Sequence, residues 1–252
     1  MTRIISILNH KGGVGKTTTT ANLGASLSRL GERVLLVDMD PQSNLSQHFS
    51  IESPERNVYH SLCEGESLPV WSIRERLDVV PADLDLADAP LRLQRDVNGF
   101  FKLRECLEEV RENYDYILID CPPSLEILTA NALIASNEAM VVVQAHYFAA
   151  KGLSSVFNLI DSLQQNLNRD LDISGILLTQ LDKRTVFTRG IAQMVGELYE
   201  KYAFDTVVRY NISLAESTSA GKDIFEYAPK SAGAEDYEAL GKEVKHGKKV
   251  RV

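Results

Sequence analysis

Apolar residues follow two rhythms along this chain, and the rhythms alternate. Short runs that are apolar at nearly every position, such as Ile4-Ile5-Ser6-Ile7-Leu8, Val34-Leu35-Leu36-Val37 and Ile117-Leu118-Ile119, are separated by stretches with apolar residues at helical spacing. A short unbroken apolar run marks a strand buried on both faces, as in a parallel sheet covered by helices. The pattern predicts strands over 3–9, 33–38, 77–81, 114–120, 139–143, 173–180 and 205–208. It predicts helices over 16–30, 58–63, 84–95, 99–113, 124–136, 148–167, 186–202 and 231–245. In the fourth of these, Phe100, Leu103, Leu107 and Val110 share a helical face. Gly31 stops the first helix, and Pro122-Pro123 breaks the strand that ends at Asp120. The first strand, helix and second strand form a βαβ unit, whose strands are parallel and whose crossover is right-handed. With no repeat and no low-complexity linker, the reading is one α/β domain over residues 1–252: a doubly wound, mainly parallel twisted sheet with helices on both faces.

The join between first strand and first helix carries the chemistry. Asn9-His10-Lys11-Gly12-Gly13-Val14-Gly15-Lys16-Thr17-Thr18 has the order of a phosphate-binding loop: strand, glycine-rich turn, helix. Glycines let successive backbone N–H groups turn inward around phosphate oxygens, and the helix N-terminus adds partial positive charge. Lys16 suits the β- and γ-phosphates, and the Thr17 hydroxyl suits Mg²⁺. Lys11 stands where the motif's first glycine belongs. Two readings are open: a degraded motif, or a variant in which a second lysine reaches a γ-phosphate across a dimer interface, as an arginine finger does.

Carboxylates follow at strand ends, the edge where open α/β sheets bind ligands. Asp40-Pro41 reads either as a turn or as an acid facing Mg²⁺ and an attacking water. Asp120 ends an apolar strand in the manner of a Walker B acid, and no Glu follows it to serve as a base, so hydrolysis is expected to be slow. Thr179-Gln180-Leu181-Asp182 is either a polar loop or a place for a nucleotide base. Lys183, Arg184 and Arg189 crowd the start of a predicted helix, where cations oppose the dipole; the readings are a solvated face or an anionic partner.

Composition narrows the classes. With 44% hydrophobic and 25% charged residues in 252, the chain is an ordinary globular one. No apolar run approaches the roughly 18–20 residues of a membrane span, and the first strand begins too early for a secretory segment, so a cytoplasmic protein is expected. Cys63, Cys106 and Cys121 form no CxxC pair and read as reduced, mostly buried thiols. The net charge of −8 argues mildly against nucleic acid, but the segment from Lys242 to Val252 holds five Lys/Arg against one Glu.

Lys11-Gly12-Gly13-Val14-Gly15-Lys16-Thr17-Thr18, Val37-Asp38-Met39-Asp40-Pro41-Gln42 and Ile119-Asp120-Cys121-Pro122-Pro123 resemble the deviant Walker A, Walker A′ and Walker B boxes of the ParA/MinD ATPases, in the ParA (Soj) branch. The resemblance extends to Lys230-Ser231-Ala232-Gly233-Ala234-Glu235. It implies a P-loop ATPase that takes ATP and Mg²⁺ and forms an ATP-sandwich homodimer. Lys11 corresponds to the signature lysine that crosses to the partner's phosphates. Asp40 corresponds to the acid that polarises the attacking water, and Asp120 to the one that holds Mg²⁺ through water. Residues Arg209 to Asn211 match a loop that contacts adenine, although Val208-Arg209-Tyr210-Asn211 replaces the usual Ile-Pro-Arg-Asn.

The resemblance further implies non-specific binding to duplex DNA, hence a nucleoid-associated protein, and a ParB-like or other cargo adaptor that stimulates hydrolysis. Arg184 matches a DNA-contacting arginine, whereas Ser213 replaces another; Lys222, Lys230 and the basic tail are candidates to compensate. Two competing readings are a MinD-like membrane-associated switch and a metabolic P-loop enzyme. The tail from Glu243 to Val252 has only valines as bulky apolar residues and a central Gly247, a poor anchor. For a metabolic enzyme, no second catalytic constellation is evident.

Overall fold

The computed structural model describes residues 1–144, 149–182, 199 and 201–247, the side chains of 149–152 excepted. Among these, eight strands join in one sheet: β1 (Arg3–Leu8), β2 (Val34–Asp38), β3 (Trp71–Arg74), β4 (Leu77–Val80), β5 (Tyr116–Asp120), β6 (Glu138–Gln144), β7 (Asp172–Leu181) and β8 (Ala203–Arg209). Their order is β3-β4-β2-β5-β1-β6-β7-β8, and only β3 runs antiparallel to its neighbour. The described helices are α1 (Lys16–Arg29), α2 (Asn44–His48), α3 (Val58–Glu64), α4 (Ala89–Leu93), α5 (Lys102–Glu108), α6 (Ile127–Ala135), α7 (Ala149–Asn166), α8 (Ile212–Ser219), α9 (Ile224–Tyr227) and α10 (Ala232–His246).

The period of two along each strand divides the core. Ile4, Leu8, Ile117 and Ile119 face a cluster with Leu103, Leu107, Leu128 and Leu133 on one side. Ile5, Ile7, Leu36 and Leu118 face Leu23, Leu27, Tyr237 and Leu240 on the other. The sheet is therefore covered on both faces, as the unbroken apolar runs require. Parallel register then carries three strand ends to one edge: Asp38 pairs with Asp120 across β2 and β5, and Ile7 pairs with Asp120 across β1 and β5.

The structure departs from the pattern in several places. The helix expected over 84–95 is a 3-10 turn, Leu84–Asp88, followed by α4. Pro90 sits in the first turn of α4, and its ring would clash with a carbonyl four residues earlier in a continuous helix. The helix expected over 99–113 starts late, at Lys102, and ends in a 3-10 turn at Arg111–Asn113. A side chain at Gly99 would place Cβ 1.9 Å from the Leu93 carbonyl oxygen, so the chain turns tightly there. The helix expected over 186–202 falls mostly outside the described residues. The elements β3, α2, α8 and α9 are additions; each is short, and α8 relies on the Asn211 side chain, which accepts from the Ser213 amide at 2.9 Å.

Helix α1 lies close against β2 because Gly24 faces the sheet: a Cβ there would come within 2.5 Å of Leu36 Cδ2. Gly24→Val is expected to lower stability by about 1–3 kcal/mol through overpacking, read as a lower midpoint in urea unfolding at unchanged slope.

Candidate functional site

Residues 9–15 leave β1 and turn into α1 around glycines in the left-handed region, Gly13 (φ 73) and Gly15 (φ 93), the latter preceding the first helical residue. A side chain at Gly13 would be strained. The loop is fastened from neighbouring strand ends. Asn9 Nδ2 donates to the Val142 carbonyl at 2.7 Å, and Asn9 Oδ1 accepts from the Lys11 amide at 3.1 Å. Thr179 Oγ1 donates to the Val14 carbonyl at 2.6 Å, and Gln180 Nε2 to the Gly13 carbonyl at 2.7 Å. Gln180 is itself held by Gln144 at 2.8 Å. The Thr179 and Gln180 latches engage loop carbonyls, the groups that would repel a phosphate. A Cβ at Gly12 would meet only open space, room for an oxyanion.

Lys16 is 6% exposed, and its Nζ donates to the Lys11 carbonyl at 3.3 Å. Burial lowers its pKa, while Asp120, Cys121 and Asp40 push the other way. Lys11 is exposed at the rim of the loop. Asp120 is fully buried at the end of β5. Its Oδ1 accepts from the Thr20 hydroxyl at 3.3 Å, and its Oδ2 meets no hydrogen-bond partner. Burial, and then the Asp38 carboxylate, raise its pKa; the Thr17 hydroxyl and Lys16 oppose the shift. Asp40 is 7% exposed, and its Oδ1 accepts from the Gln42 amide at 3.0 Å.

A partnerless buried carboxylate oxygen beside a threonine hydroxyl and a phosphate loop fits a divalent cation. Among the described residues no group of three or more His, Cys, Asp or Glu could hold a metal by itself. Mg²⁺ takes few protein ligands and completes its shell with phosphate and water.

Beyond the loop lies an open cleft of about 200 Å³. Gly15, Thr18, Thr179, Gln180, Val208, Arg209, Tyr210, Asn211, Leu214 and Tyr237 are among its lining residues. The structure thus brings Thr179, Gln180, Arg209 and Asn211 to one cleft beside the phosphate loop. All four also have structural partners, Thr179 and Gln180 through the phosphate loop. The Arg209 guanidinium pairs with Asp236 at 2.7 Å and Glu235 at 2.8 Å, and Asn211 caps α8. Arg209 Nε and Nη2 and Asn211 Oδ1 are thus engaged within the protein.

Sequence reasoning gave Asp38 no role. It is fully buried, and its carboxylate takes three donors: the Asp40 amide at 3.1 Å, the Ser46 amide at 2.9 Å and the Ser46 hydroxyl at 2.7 Å. Burial nevertheless raises its pKa. The signal available was its place in Asp38-Met39-Asp40; Ser46 belongs to no box. Lys222 and Lys230 are exposed, while Lys183, Arg184 and Arg189 lie outside the described residues. Part of the basic tail is committed elsewhere: Lys242 pairs with Glu238, and Lys245 with Glu32 at 2.7 Å. The Cys121 thiol is buried and held well above its ordinary pKa by burial; Cys63 and Cys106, half-buried, are pushed up to about 11.

Residues 2–173 match the family described as AAA domain. The chain is 45% identical to the sporulation initiation inhibitor protein Soj of Bacillus subtilis, over 97% of this chain and 98% of that protein. It is 43% identical to the chromosome partitioning protein ParA of Myxococcus xanthus, over 96% and 87%. Among solved structures, cobyrinic acid a,c-diamide synthase of Mycobacterium smegmatis with bound ADP and magnesium superposes with a TM-score of 0.87 at 31% identity, covering 98% of this chain and 95% of that one. The septum site-determining protein MinD of Pyrococcus horikoshii, complexed with Mg-ADP, superposes with a TM-score of 0.80 at 27% identity, over 97% and 96%.

The partnerless Asp120 oxygen has a cost that can be measured. Its native pKa is raised, so the folded state holds a proton that the unfolded state releases near pH 4, and stability is lost as pH rises through the raised native range. Asp120→Asn removes that slope. Without nucleotide, its melting temperature is expected to fall less than the wild type's from about pH 5 to about pH 8. The gap is expected to be about 2–4 °C for each kcal/mol. Parallel pH profiles in scanning calorimetry would contradict the assignment.

Proposed function

Because this chain belongs to the ParA/MinD family of P-loop ATPases, in its Soj/ParA branch, we propose that it is an ATP-hydrolysing partition switch. In this reading ATP closes two protomers into a sandwich dimer, the dimer holds duplex DNA without sequence preference, and an adaptor protein of ParB type triggers hydrolysis and release. The cargo is a plasmid, a chromosome or a protein assembly placed over the nucleoid. The observation that carries the reading is the meeting of an exposed Lys11, a buried Lys16 and the acids Asp40 and Asp120 at one sheet edge.

When bound, ATP with Mg²⁺ supplies the phosphoryl group and the metal charge that neutralises its oxygens. Lys16 and the loop amides from Gly12 to Thr18 grip the phosphates. The Thr17 hydroxyl and Asp120 hold the metal, directly or through water. Asp40 orients the attacking water. Lys11 is exposed at the rim of the loop, and in this reading it serves the other protomer's phosphates. The region after Asp120 runs Cys121-Pro122-Pro123 with no carboxylate base, consistent with slow hydrolysis awaiting a partner. For DNA the support is phosphate neutralisation by Lys222 and Lys230 together with the cations at 183–189.

A membrane-bound switch is disfavoured by α10. No helix among the described residues is long and apolar enough to cross a membrane. The apolar face of α10, Tyr237, Leu240 and Val244, is spent in the core against α1 and β8.

Two outcomes test the function. Asp40→Ala is expected to bind ATP with Mg²⁺ and dimerise while losing hydrolysis, measured by phosphate release beside light scattering; failure to bind ATP would make Asp40 structural. Wild-type protein with ATP, and not with ADP, is expected to be retained on duplex DNA of arbitrary sequence at low salt and released as salt rises. Equal retention in both states, or none, removes the nucleoid role, and liposomes run in parallel test the membrane alternative.

A further inference from the structure

The turn that carries Asp40 is closed on a single buried carboxylate. Asp38 ends β2; its Oδ1 accepts from the Asp40 amide and its Oδ2 from the amide and hydroxyl of Ser46. Ser46 is the third residue of α2. The amides of a helix's first turn have no partner inside the helix. The residue before α2, Ser43, stands in the left-handed region at φ 50 and supplies no side-chain cap. Asp38, eight positions before Ser46, is therefore the cap of α2. The Ser46 hydroxyl has one role open to it. It accepts from the Ala82 amide at 2.9 Å, just past β4, so its proton goes to Asp38.

The two buried acids thus divide the work. Asp38 spends both oxygens on the protein, whereas Asp120 keeps Oδ2 without a partner. Asp38 faces the turn and Asp120 faces the metal position. The far end of α2 is seated as well: His48 Nδ1 lies 3.1 Å from Thr218 Oγ1 on α8. A helix held at both ends leaves the segment 39–43 little freedom, and Asp40 is in the middle of it.

We propose that Ser46 is a positioning residue for ATP hydrolysis: acting through Asp38, it sets the place of Asp40. Ser46 touches neither nucleotide nor metal in this scheme, and the inference rests on the ATPase reading above. Without its hydroxyl, the Asp38 carboxylate loses its shortest hydrogen bond and the turn loosens. The phosphate loop, fastened to β6 and β7, keeps its ground-state grip. Misplacing a reacting group by about 1 Å costs on the order of 100-fold in rate. The effect belongs in kcat and not in ATP affinity.

The test compares Ser46→Ala, Ser46→Cys and Ser46→Thr in the full chain, measuring ATP affinity, kcat and amide exchange over residues 40–46. Ser46→Ala and Ser46→Cys are expected to lose about tenfold or more in kcat with ATP affinity within about twofold, and Ser46→Thr to restore both rate and exchange protection. An unchanged kcat in a folded Ser46→Ala protein overturns the proposal, as does a loss of affinity that matches the loss of rate. Should Ser46→Ala fail to fold, Ser46→Cys is the deciding variant, since a thiol fills the site but donates weakly. A wild type that binds ATP and hydrolyses none removes the ATPase reading instead. The clasp on Asp40 is then judged by exchange: protection lost in Ser46→Ala or Ser46→Cys and regained in Ser46→Thr upholds it, and unchanged protection overturns it.

Discussion

Two aspartates end adjacent parallel strands in register, and the site is arranged around keeping them there. Asp38 and Asp120 pair across β2 and β5, both fully buried, and two like charges so placed repel in a medium that screens weakly. The protein answers each differently. Asp38 is surrounded by donors from Asp40 and Ser46. Asp120 has the Thr20 hydroxyl on Oδ1 and the Thr17 hydroxyl and Lys16 charge nearby, and its Oδ2 stays without a partner. A fold that needed only stability would put an apolar residue at 120. The unsatisfied oxygen makes sense as a place prepared for something positive.

Much of this could be read from the chain, and the reason is local. The phosphate loop, Asp40 and Asp120 lie in short motifs whose meaning depends on residues a few places apart. The strands showed because burial on both faces leaves an unbroken apolar run. What stayed hidden depends on partners distant in sequence or on turns too short for a period to register. Asp38 was visible as a letter in a motif, but its function depends on Ser46. Arg209 was visible as part of a base-loop match, but its pairing with Asp236, 27 residues on, was not. Lys242 and Lys245 resembled a free basic tail, yet each finds an acid. Hydrophobic periodicity reports which face is buried; it does not report which charges are paired.

The nucleotide cleft has two kinds of wall. One is the phosphate loop, held by β6 and β7. The other is the segment after β8, held by α10 through Arg209 with Asp236. The second wall is built where the chain departs from the usual base-loop pattern. An arginine in place of the expected proline is anchored by carboxylates on the last helix, and the loop keeps its place beside Leu214 and Tyr237.

Tyr237 makes that dependence concrete. Its hydroxyl lies 3.1 Å from Thr19 Oγ1, joining α10 to the helix that follows the phosphate loop, across 218 positions of sequence. A change that loosens α10 from α1 therefore also opens the cleft's far wall, with no residue of the phosphate loop touched.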